Sequence, residues 1–331
     1  MVRTSKRSLL NRRLGIVMDP IEAIHPEKDT SLALLLEATR RKYRLYYIRP
    51  GAITATGEGP SACLPILRVF DSTTSWFDLG KEETIPLSRL DVILMRKDPP
   101  FDQEYVYLTY LLELAEQAGT RIINAPRSLR DYNEKASILR FPDLAPPTLI
   151  ARETGPIRAF LAREGKIVLK PLGGMGGQGV FVIDSDNPNL NVIVESLTHE
   201  GREHVMAQRY LPEITHGDMR VLVINGKPVP YMLARIPKAG ESRGNLAAGG
   251  HGEPRPLGRR ERRVAETIAP ILARDGLIFV GLDIIGGKLT EINVTSPTCV
   301  RELDRAYGIN IAADLFDALE DNPEGKPAAV Q

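Results

Sequence analysis

The stretch Gly281–Thr298, GLDIIGGKLTEINVTSPT, decides the fold of the C-terminal half of the chain. It consists of two apolar runs joined by Gly286-Gly287, and this pattern predicts a β-hairpin. Acidic and amide side chains interrupt both runs. A carboxylate inside an apolar strand is costly to bury unless it is paired or holds a metal. The hairpin is therefore the first candidate for a functional site.

Three side chains of this hairpin supply oxygen ligands: Asp283 on the first strand, and Glu291 and Asn293 on the second. Glu291 and Asn293 are two residues apart, so a strand points both to one face. Oxygen ligands without Cys or His favour Mg²⁺ over Zn²⁺. We therefore predict a magnesium–phosphate site on a sheet, with Mn²⁺ as an alternative metal. Asp283 can share that face only if the connection between the two strands has an odd number of residues. We therefore predict a three-residue loop, Gly286–Lys288, with a bulge.

The bulk composition is that of a soluble globular protein. The chain has 331 residues, enough for two or three domains, with 43% hydrophobic and 26% charged residues. A net charge of +1 gives no electrostatic footprint for nucleic acid, and no apolar stretch approaches the length of a membrane span. The two cysteines, Cys63 and Cys299, form neither a disulfide framework nor a metal knuckle and fit a cytoplasmic protein.

The first part of the chain has the pattern of an open, Rossmann-like α/β sheet with parallel pairs of strands. Strands are predicted at 14–18, 45–48, 91–95 and 122–123, and amphipathic helices at 30–42 and 103–118. Between residues 52 and 71 the Gly, Pro and short β-branched runs predict irregular strands and loops. We assign 14–125 to this domain and expect the basic segment 1–13 to be a disordered extension.

After residue 126 the pattern changes to α+β with antiparallel ribbons. Strands are predicted at 167–170, 180–183, 205–208, 219–224 and 229–234, and helices at 133–139, 157–163, 192–197, 259–274 and 304–319. The fold class is thus α/β followed by α+β. We expect the tail, 321–331, to be loose.

A glycine loop lies between two predicted strands. Residues 173–179, GGMGGQG, contain G-x-G-x-x-G, but a dinucleotide fingerprint requires a helix after the loop, and here the strand 180–183 follows. A P-loop would need Gly-Lys-Ser/Thr at its end. What remains is a mobile loop beside Lys170 that can lay backbone N–H groups over phosphates. An ordinary hairpin turn is less favoured, because so many glycines cost chain entropy.

A second glycine-rich segment, 237–254, lies between a predicted strand and a predicted helix. A structureless loop of this length is typically an active-site lid or an insert, and its composition does not distinguish the two. Arg243 and Asn245 within it are candidates for substrate contact.

Basic residues supply charges for an anionic ligand. Arg220 and Arg235 lie on the apolar strands MRVLVI and YMLARIP, where an Arg needs an anionic partner. Lys135 lies at a helix start and Lys170 ends a strand, although a lone Lys usually belongs to a solvated face. With the carboxylates of the hairpin, these residues predict a cation-lined site facing a metal-lined one. That combination suits phosphoryl transfer.

The chain resembles the prokaryotic glutathione synthetases, which are ATP-grasp ligases, from residue 14 to about residue 319. The blocks that carry the resemblance are LGIVMDP (14–20), VILMRKDPPFD (92–102), SLRDYNEK (128–135), LKPLGGMGG (169–177), LARIP (233–237), RGNLAAGG (243–250), GLIFVGLDIIG (276–286) and LTEINVTSPTC (289–299). The resemblance implies a pre-ATP-grasp domain at 14–125 and a two-lobed ATP-grasp module. Its central lobe, 126–210, would carry the glycine loop, and its C-terminal lobe, 211–320, the lid loop and the metal hairpin.

The resemblance also implies a reaction and a set of roles. The reaction is ATP with γ-glutamylcysteine and glycine giving glutathione, ADP and phosphate through an acyl phosphate, in a cytoplasmic homotetramer. ATP contacts are implied for Lys135, Lys170, Gly174, Met175, Gly176, Gly177, Gln208, Arg209, Tyr210, Leu211 and Asp218. Catalytic roles are implied for Arg220, Arg235 and Arg243, substrate contacts for Arg96, Asn245, Ser296 and Thr298, and metal ligation for Asp283, Glu291 and Asn293.

Departures and alternatives qualify this interpretation. Gly173, where relatives often have Asp, and Gln178-Gly179 predict a looser glycine loop.

Another ATP-grasp ligase, D-alanine ligase-like or glutamate-adding, would share the metal hairpin, but the MRKDPPFD block and the Arg243 loop argue against it. A catalytically silent nucleotide-binding regulator should lack part of the acidic or arginine set, all of which is present. Cys299 has no base placed beside it by sequence, which favours a place in the site wall over a nucleophile.

Overall fold

The structure is a computed structural model that describes residues 12–238, 240–241, 244, 246 and 249–321. Arg243 and Asn245 lie outside the described residues, as do nearly all of the predicted basic extension and tail. Three β-sheets follow one another along the chain, and helices pack against them.

The first sheet has a parallel core and an antiparallel extension. Its strands are β1 (Arg13–Val17), β2 (Arg44–Ile48), β3 (Ile53–Thr56), β4 (Gly59–Val69), β5 (Phe77–Pro86), β6 (Val92–Met95) and β7 (Arg121–Ile123). The parallel pairs β2–β1, β1–β6 and β6–β7 confirm the predicted open α/β sheet. Residues 52–71, predicted as irregular strands and loops, instead form an antiparallel pair, β3 and β4, and β4 also pairs with β5. Pro60 and Pro65 inside β4 hid it, because Pro usually argues against a strand interior.

Helices cover both faces of this sheet. They are α1 (Thr30–Arg40), α2 (Gln103–Gln117) and the short α3 (Pro126–Asp131). Asp29 and Asp102 cap α1 and α2 by accepting from backbone N–H groups three residues on. Leu14 and Ile16 pack in the cluster that contains α1, whereas Val17 packs with α2 on the other face. The sheet is therefore doubly wound, with β1 and β6 at the point where the strand order reverses.

The second sheet is antiparallel throughout, in the order β10-β9-β11-β8. Its elements are β8 (Thr148–Ala151), α4 (Thr154–Glu164), β9 (Lys166–Pro171), β10 (Phe181–Asp184), α5 (Leu190–Leu197) and β11 (Val205–Arg209). The glycine loop connects β9 to β10, as predicted. This sheet and its two helices enclose a hydrophobic cluster of their own. The predicted helix at 133–139 is a 3-10 helix, Ala136–Arg140, preceded by a turn.

The third sheet has the order β14-β13-β12-β15-β16, with every pair antiparallel. Its elements are β12 (Asp218–Ile224), β13 (Lys227–Ile236), β14 (His251–Pro256), α6 (Arg259–Arg274), β15 (Phe279–Ile285), β16 (Lys288–Asn293), α7 (Val300–Tyr307) and α8 (Ile311–Asp321). The predicted loop through residue 254 is wrong at its end, because His251–Pro256 pair with β13. The edge position of β14 tolerates its two prolines.

The turn of the β15–β16 hairpin contains two residues. Gly286 and Gly287 both have positive φ, 58° and 79°, as a type I′ turn requires, and Ile285 pairs with Lys288 directly across it. The predicted three-residue loop is therefore wrong.

The odd residue lies in the strand instead. Ile284 pairs with Leu289 and Asp283 pairs with Glu291, which leaves Thr290 as the extra residue of a bulge. The Thr290 hydroxyl donates to the Asp283 carbonyl at 3.1 Å. Asp283 and Glu291 are thereby opposite each other on one face. Asp283 and Glu291 share a face as predicted, but a bulge within the strand produces this arrangement and not the length of the turn.

We expect Gly287→Ala to destabilise the fold by about 1–2 kcal/mol, because a residue with a side chain is strained at this φ. An added Cβ would also lie 3.1 Å from Cβ of Arg260. Urea unfolding measures the change. Gly51→Ala is the matched control, since an added Cβ there meets nothing within 4 Å and should cost little. Equal losses in both variants would contradict the turn assignment.

Asn124 joins the first sheet to the third. Its side-chain amide donates to the carbonyls of Phe279 and Val294, at 2.8 Å each. Its side-chain oxygen accepts from the backbone N–H of Ile278 at 2.8 Å and of Phe279 at 2.9 Å. A single buried amide thus ties the end of β7 to β15 and to the segment after β16.

Glu37 on α1 anchors an ion-pair network that reaches α8. Its carboxylate accepts from Arg40 at 2.7 Å and from Arg41 at 2.6 Å. Arg41 also pairs with Asp317 at 2.6 Å and with Glu320 at 2.7 Å. The hydrogen bond from Arg40, and after it that from Arg41, outweigh burial and lower the pKa of Glu37 to about 2.

We expect Glu37→Gln to lower the free energy of unfolding by about 1–3 kcal/mol at pH 7. Because the folded-state pKa is depressed from 4.5, this stabilisation is present above about pH 4.5 and is lost as the pH falls toward 2. The difference from wild type should fall by about half between pH 7 and pH 3. Urea titrations at both pH values test this, with the exposed Glu58→Gln as control. A difference that is constant with pH would contradict the ion-pair explanation.

Candidate active site

Asp283 lies at the centre of a buried cluster of charges. Arg220 donates through Nε to Oδ1 of Asp283 at 2.6 Å and through Nη2 to Oδ2 at 3.2 Å. Nη2 of Arg235 lies 2.8 Å from Oδ2 of Asp283 and also pairs with Asp218. The predicted need of both strand arginines for an anionic partner is confirmed.

Strand register explains how these four residues meet. Arg220 is directly opposite Asp283 in the β12–β15 pair, and Asp218 is opposite Arg235 in the β12–β13 pair. Asp218 and Arg220 are two residues apart, so they point to the same face of β12. Three adjacent strands therefore present two cations and two carboxylates side by side.

The two carboxylates of the cluster differ in their pKa. Burial would raise the pKa of Asp283, but Arg220 and Arg235 outweigh it and hold that pKa well below its usual range. Burial raises the pKa of Asp218 to about 7, and the charge of Asp283 adds to this while Arg235 opposes it. Oδ1 of Asp218 and Nε of Arg235 are buried without a hydrogen-bond partner in the described part of the chain. Such orphaned polar atoms indicate that a ligand or water completes the site.

The two predicted phosphate-binding lysines are held by acceptors within the protein. Nζ of Lys170, at the end of β9, lies 3.2 Å from Oε1 of Glu291. Nζ of Lys135 donates to the Gly174 carbonyl at 2.5 Å, which ties the glycine loop to the segment before it. Burial would raise the pKa of Glu291, but Lys135 and Lys170 lower it. Both lysines thus lie next to the carboxylates rather than across an open site from them.

One cleft lies between the second and third sheets. Its lining includes Lys170, Asp218, Asp283, Glu291 and the predicted hinge residues Gln208, Arg209, Tyr210 and Leu211. Val168, Val180 and Val182 supply an apolar wall on the other side. The predicted hinge and the carboxylates are therefore brought together around one space.

A second cleft lies on the other side of Glu291, which lines both. Its lining includes Arg220, Arg235 and Asn293, the predicted substrate residues Ser296 and Thr298, and the loop residues Gly174, Met175 and Gly176. Gly177 lies next to these in the loop. Cys299 also lines this cleft, and burial raises the pKa of its thiol, which agrees with a place in the site wall.

Arg96 lies behind this cleft. Its Nε donates to the Ser31 hydroxyl at 3.0 Å, and its Nη2 donates to the Pro297 carbonyl at 2.9 Å. Nη1 is buried and has no hydrogen-bond partner among the described residues. The contact with Pro297 places Arg96 next to the segment that carries Ser296 and Thr298.

Sequence reasoning missed two acidic residues of the second cleft, Asp98 and Glu134. Oε1 of Glu134 accepts from the Val294 N–H at 2.9 Å, the Thr295 N–H at 3.0 Å and the Thr295 hydroxyl at 2.9 Å. Glu134 thereby fixes the end of the β15–β16 hairpin beside Lys135. An acid directly before a predicted phosphate-binding lysine was the signal that could have revealed it.

The three hairpin side chains predicted as metal ligands suit a divalent cation that is also bound by phosphate oxygens. Asp283 and Glu291 face each other across the bulge, and Asn293 lies two residues further on the same face. Within the described ranges, no group of three or more His, Cys, Asp or Glu side chains is arranged to hold a metal ion. Mg²⁺ typically takes one or two carboxylates and completes its shell with water and phosphate oxygens. Two carboxylates and an amide suit that kind of site.

No helix in the part of the chain that the structure describes is long and apolar enough to cross a membrane.

Two family models match this chain almost from end to end. The model for the N-terminal domain of prokaryotic glutathione synthetase matches residues 13–130, and the model for its ATP-grasp domain matches residues 134–308. The glutathione synthetase of Yersinia pestis is 55% identical over 309 residues, which are 93% of this chain and 97% of that protein. That of Salmonella typhi is 54% identical over 308 residues, 93% of this chain and 98% of that protein.

Solved structures show the same fold at low sequence identity. A D-cycloserine synthetase has a TM-score of 0.66 at 17% identity, covering 94% of this chain and 99% of that one. D-alanyl-alanine synthetase A from Vibrio cholerae has a TM-score of 0.59 at 14% identity, covering 96% and 99%. At these identities the likeness supports the fold alone.

Proposed function

The chain belongs to the family of prokaryotic glutathione synthetases, and on that premise we propose that it joins γ-glutamylcysteine to glycine at the expense of ATP. It is an ATP-dependent carboxylate–amine ligase with an ATP-grasp fold. The products are glutathione, ADP and phosphate. Sequence identity of 54–55% to glutathione synthetases over 93% of the chain is the observation that carries this function. The arginine–carboxylate cluster between two clefts agrees with it.

In this proposal the first cleft takes ATP. The adenine would lie against the valine wall and the hinge Gln208–Leu211, and Asp218 would lie on the nucleotide side of the charge cluster. When ATP binds, Lys135 would release the Gly174 carbonyl and Lys170 would release Glu291. Both lysines would then bind phosphate oxygens. Gly174, Met175, Gly176 and Gly177 would then cover the phosphates and exclude water.

The second cleft would take γ-glutamylcysteine and glycine. A carboxylate oxygen of the cysteinyl residue attacks the γ-phosphorus of ATP, and ADP leaves. The amine nitrogen of glycine then attacks the acyl carbon, and phosphate leaves with the former carboxylate oxygen. Arg220 and Arg235 line the second cleft and pair with Asp283, which lines the first, so they would stabilise the negative charge that develops in both steps.

The ATP-grasp ligases use ATP together with a divalent metal. We propose Mg²⁺, or Mn²⁺ in its place, held by Asp283, Glu291 and Asn293. The metal would offset charge on the phosphate oxygens. The chain's own part is to present these three oxygen ligands on one face, which the Thr290 bulge and the strand register provide.

The remaining assignments are proposals of the same kind. Arg243 and Asn245 would act from the lid, Ser296 and Thr298 would contact the acyl substrate, and Arg96 would act on that segment through Pro297. The domains would be 14–125, 126–210 and 211–320. We further propose a cytoplasmic homotetramer.

Release of phosphate and ADP, measured with ATP and γ-glutamylcysteine in the presence and absence of glycine, tests the function. We expect glycine-dependent release and formation of glutathione. Release that requires another amino acid would favour a different ligase of this fold. Nucleotide binding without release would favour the regulator.

A further inference from the structure

We propose that the carboxylate of Asp98 binds the α-ammonium group of the γ-glutamyl substrate, an inference that rests on the proposed function. Asp98 was not among the residues that the sequence pattern singled out. It follows β6 in the loop that leads to α2 and lines the second cleft together with Pro99.

The position of Asp98 in the sheet is one where α/β proteins bind ligands. β1 has β2 on one side and β6 on the other, so the strand order reverses between β1 and β6. Ligands of open α/β sheets bind outside the carboxyl ends of the strands at this point. Asp19 and Asp98 lie just past the carboxyl ends of β1 and β6, respectively.

Comparison of the acids in the second cleft singles out Asp98. Three described carboxylates line it: Asp98, Glu134 and Glu291. Glu134 already accepts three hydrogen bonds from Val294 and Thr295, and Glu291 pairs with Lys170. Among the described residues, none donates a hydrogen bond to the side chain of the half-buried Asp98. A carboxylate in such a position has a vacant place for a cationic group.

The backbone of Asp98 is nevertheless fixed. Its N–H donates to Oδ2 of Asp19 at 2.8 Å, and its carbonyl accepts from Nζ of Lys97 at 2.9 Å. Within the same loop, the Phe101 carbonyl approaches the glycine loop, 3.7 Å from where a Cβ on Gly173 would lie. The backbone that carries this carboxylate is therefore held in place at the edge of the cleft.

The charges along the cleft match two groups of the substrate, its reacting carboxylate and its α-ammonium group. The reacting carboxylate of γ-glutamylcysteine has to reach Arg220 and Arg235, which line the cleft at the charge cluster. The other end of the substrate carries the free α-amino group of the glutamyl residue, which is an ammonium at neutral pH. Asp98 comes from the first sheet, a different wall from the strands that carry the arginines. An ammonium paired with Asp98 would thus orient the substrate with its acyl end toward the arginines.

The test compares wild type with Asp98→Asn on two acyl substrates, γ-glutamylcysteine and glutarylcysteine. The second has the same skeleton with hydrogen in place of the α-amino group. We expect the variant to raise KM for γ-glutamylcysteine roughly 10- to 100-fold, the range expected for loss of a charge-assisted contact. KM for ATP should not change. For glutarylcysteine the variant and wild type should agree within about twofold. Glu104→Gln, an exposed carboxylate at the start of α2, is the matched control.

Each outcome decides something. A variant that prefers γ-glutamylcysteine over glutarylcysteine as strongly as wild type does would overturn the Asp98 assignment alone. A wild type that makes no ADP with γ-glutamylcysteine and glycine would overturn the proposed function and this inference with it. Asn should fold, because no described donor uses the carboxylate. Asp98→Ala gives a second variant for which the same loss of discrimination is expected.

Discussion

Glu291→Gln is expected to remove most of the turnover, at least 100-fold in kcat, while the protein still folds. Glu291 lines both clefts, so its charge lies where the nucleotide and the acyl substrate meet. The amide keeps the size of the side chain and an oxygen that can accept from Lys170 at the present position of Oε1. What is lost is one negative charge and one metal ligand.

Initial rates of ADP formation at saturating ATP measure this effect, with thermal unfolding as the check on folding. Glu82→Gln, an exposed carboxylate on β5, serves as the control and should keep wild-type rates. A Glu291→Gln enzyme with wild-type rates would remove Glu291 from the metal and phosphate site. Raising the metal concentration should recover part of the lost rate if the defect is one of metal affinity.

Asp283→Asn should have a large effect on stability as well as on turnover. The side chains of Arg220 and Arg235 are 6% and 4% exposed, and Asp283 is the partner that they share. Loss of its charge leaves two buried guanidinium groups with Asp218 as the remaining anion of the cluster. Breaking a buried ion pair from one side typically costs about 3–5 kcal/mol.

Urea unfolding at pH 6 and pH 8 tests this expectation. The folded-state pKa of Asp283 is held below its usual range, so its contribution is fully present above the unfolded-state value of 3.8. Asp283 itself should therefore contribute equally at both pH values, and any difference in the loss would come from Asp218, whose pKa the charge of Asp283 helps to raise to about 7. Asp283→Asn combined with Arg220→Met should recover part of the stability and none of the turnover. A single variant within about 1 kcal/mol of wild type would contradict the central role of Asp283.

Local signals made much of the fold predictable. The helices after Asp29 and Asp102 have side-chain caps that are visible in the sequence, and the buried runs of β1 and β6 are uninterrupted. Where strand signals are weak, prediction failed. β4 contains Pro60 and Pro65, and the prolines of β14 are tolerated because that strand lies at a sheet edge. Edge position follows from the topology of the sheet and not from local sequence.

The candidate site was likewise predictable only in part. Arg220, Arg235 and Asp283 were predictable, because a charge in an apolar strand must be paired wherever the strand lies. The pairing itself required the register, which brings Arg220 opposite Asp283. Asp98 and Glu134 were missed. An acid in a polar segment is usually solvated, and only the folded chain shows that both line a cleft.

The bulge at Thr290 divides β16 into two short segments of opposite phase. Leu289 faces Ile284 and Ile292 faces Leu282, and all four are fully buried apolar side chains. The core-facing positions of β16 are thus three residues apart, a spacing that belongs to helices more than to strands. If side chains are assumed to alternate strictly between the two faces from residue 289 to residue 293, Leu289 falls on the same face as Glu291 and Asn293. One of the two groups is then assigned to the wrong side of the sheet. In β16, apolar residues three apart with an acid between them thus belong to a strand that changes face to serve both a core and a site.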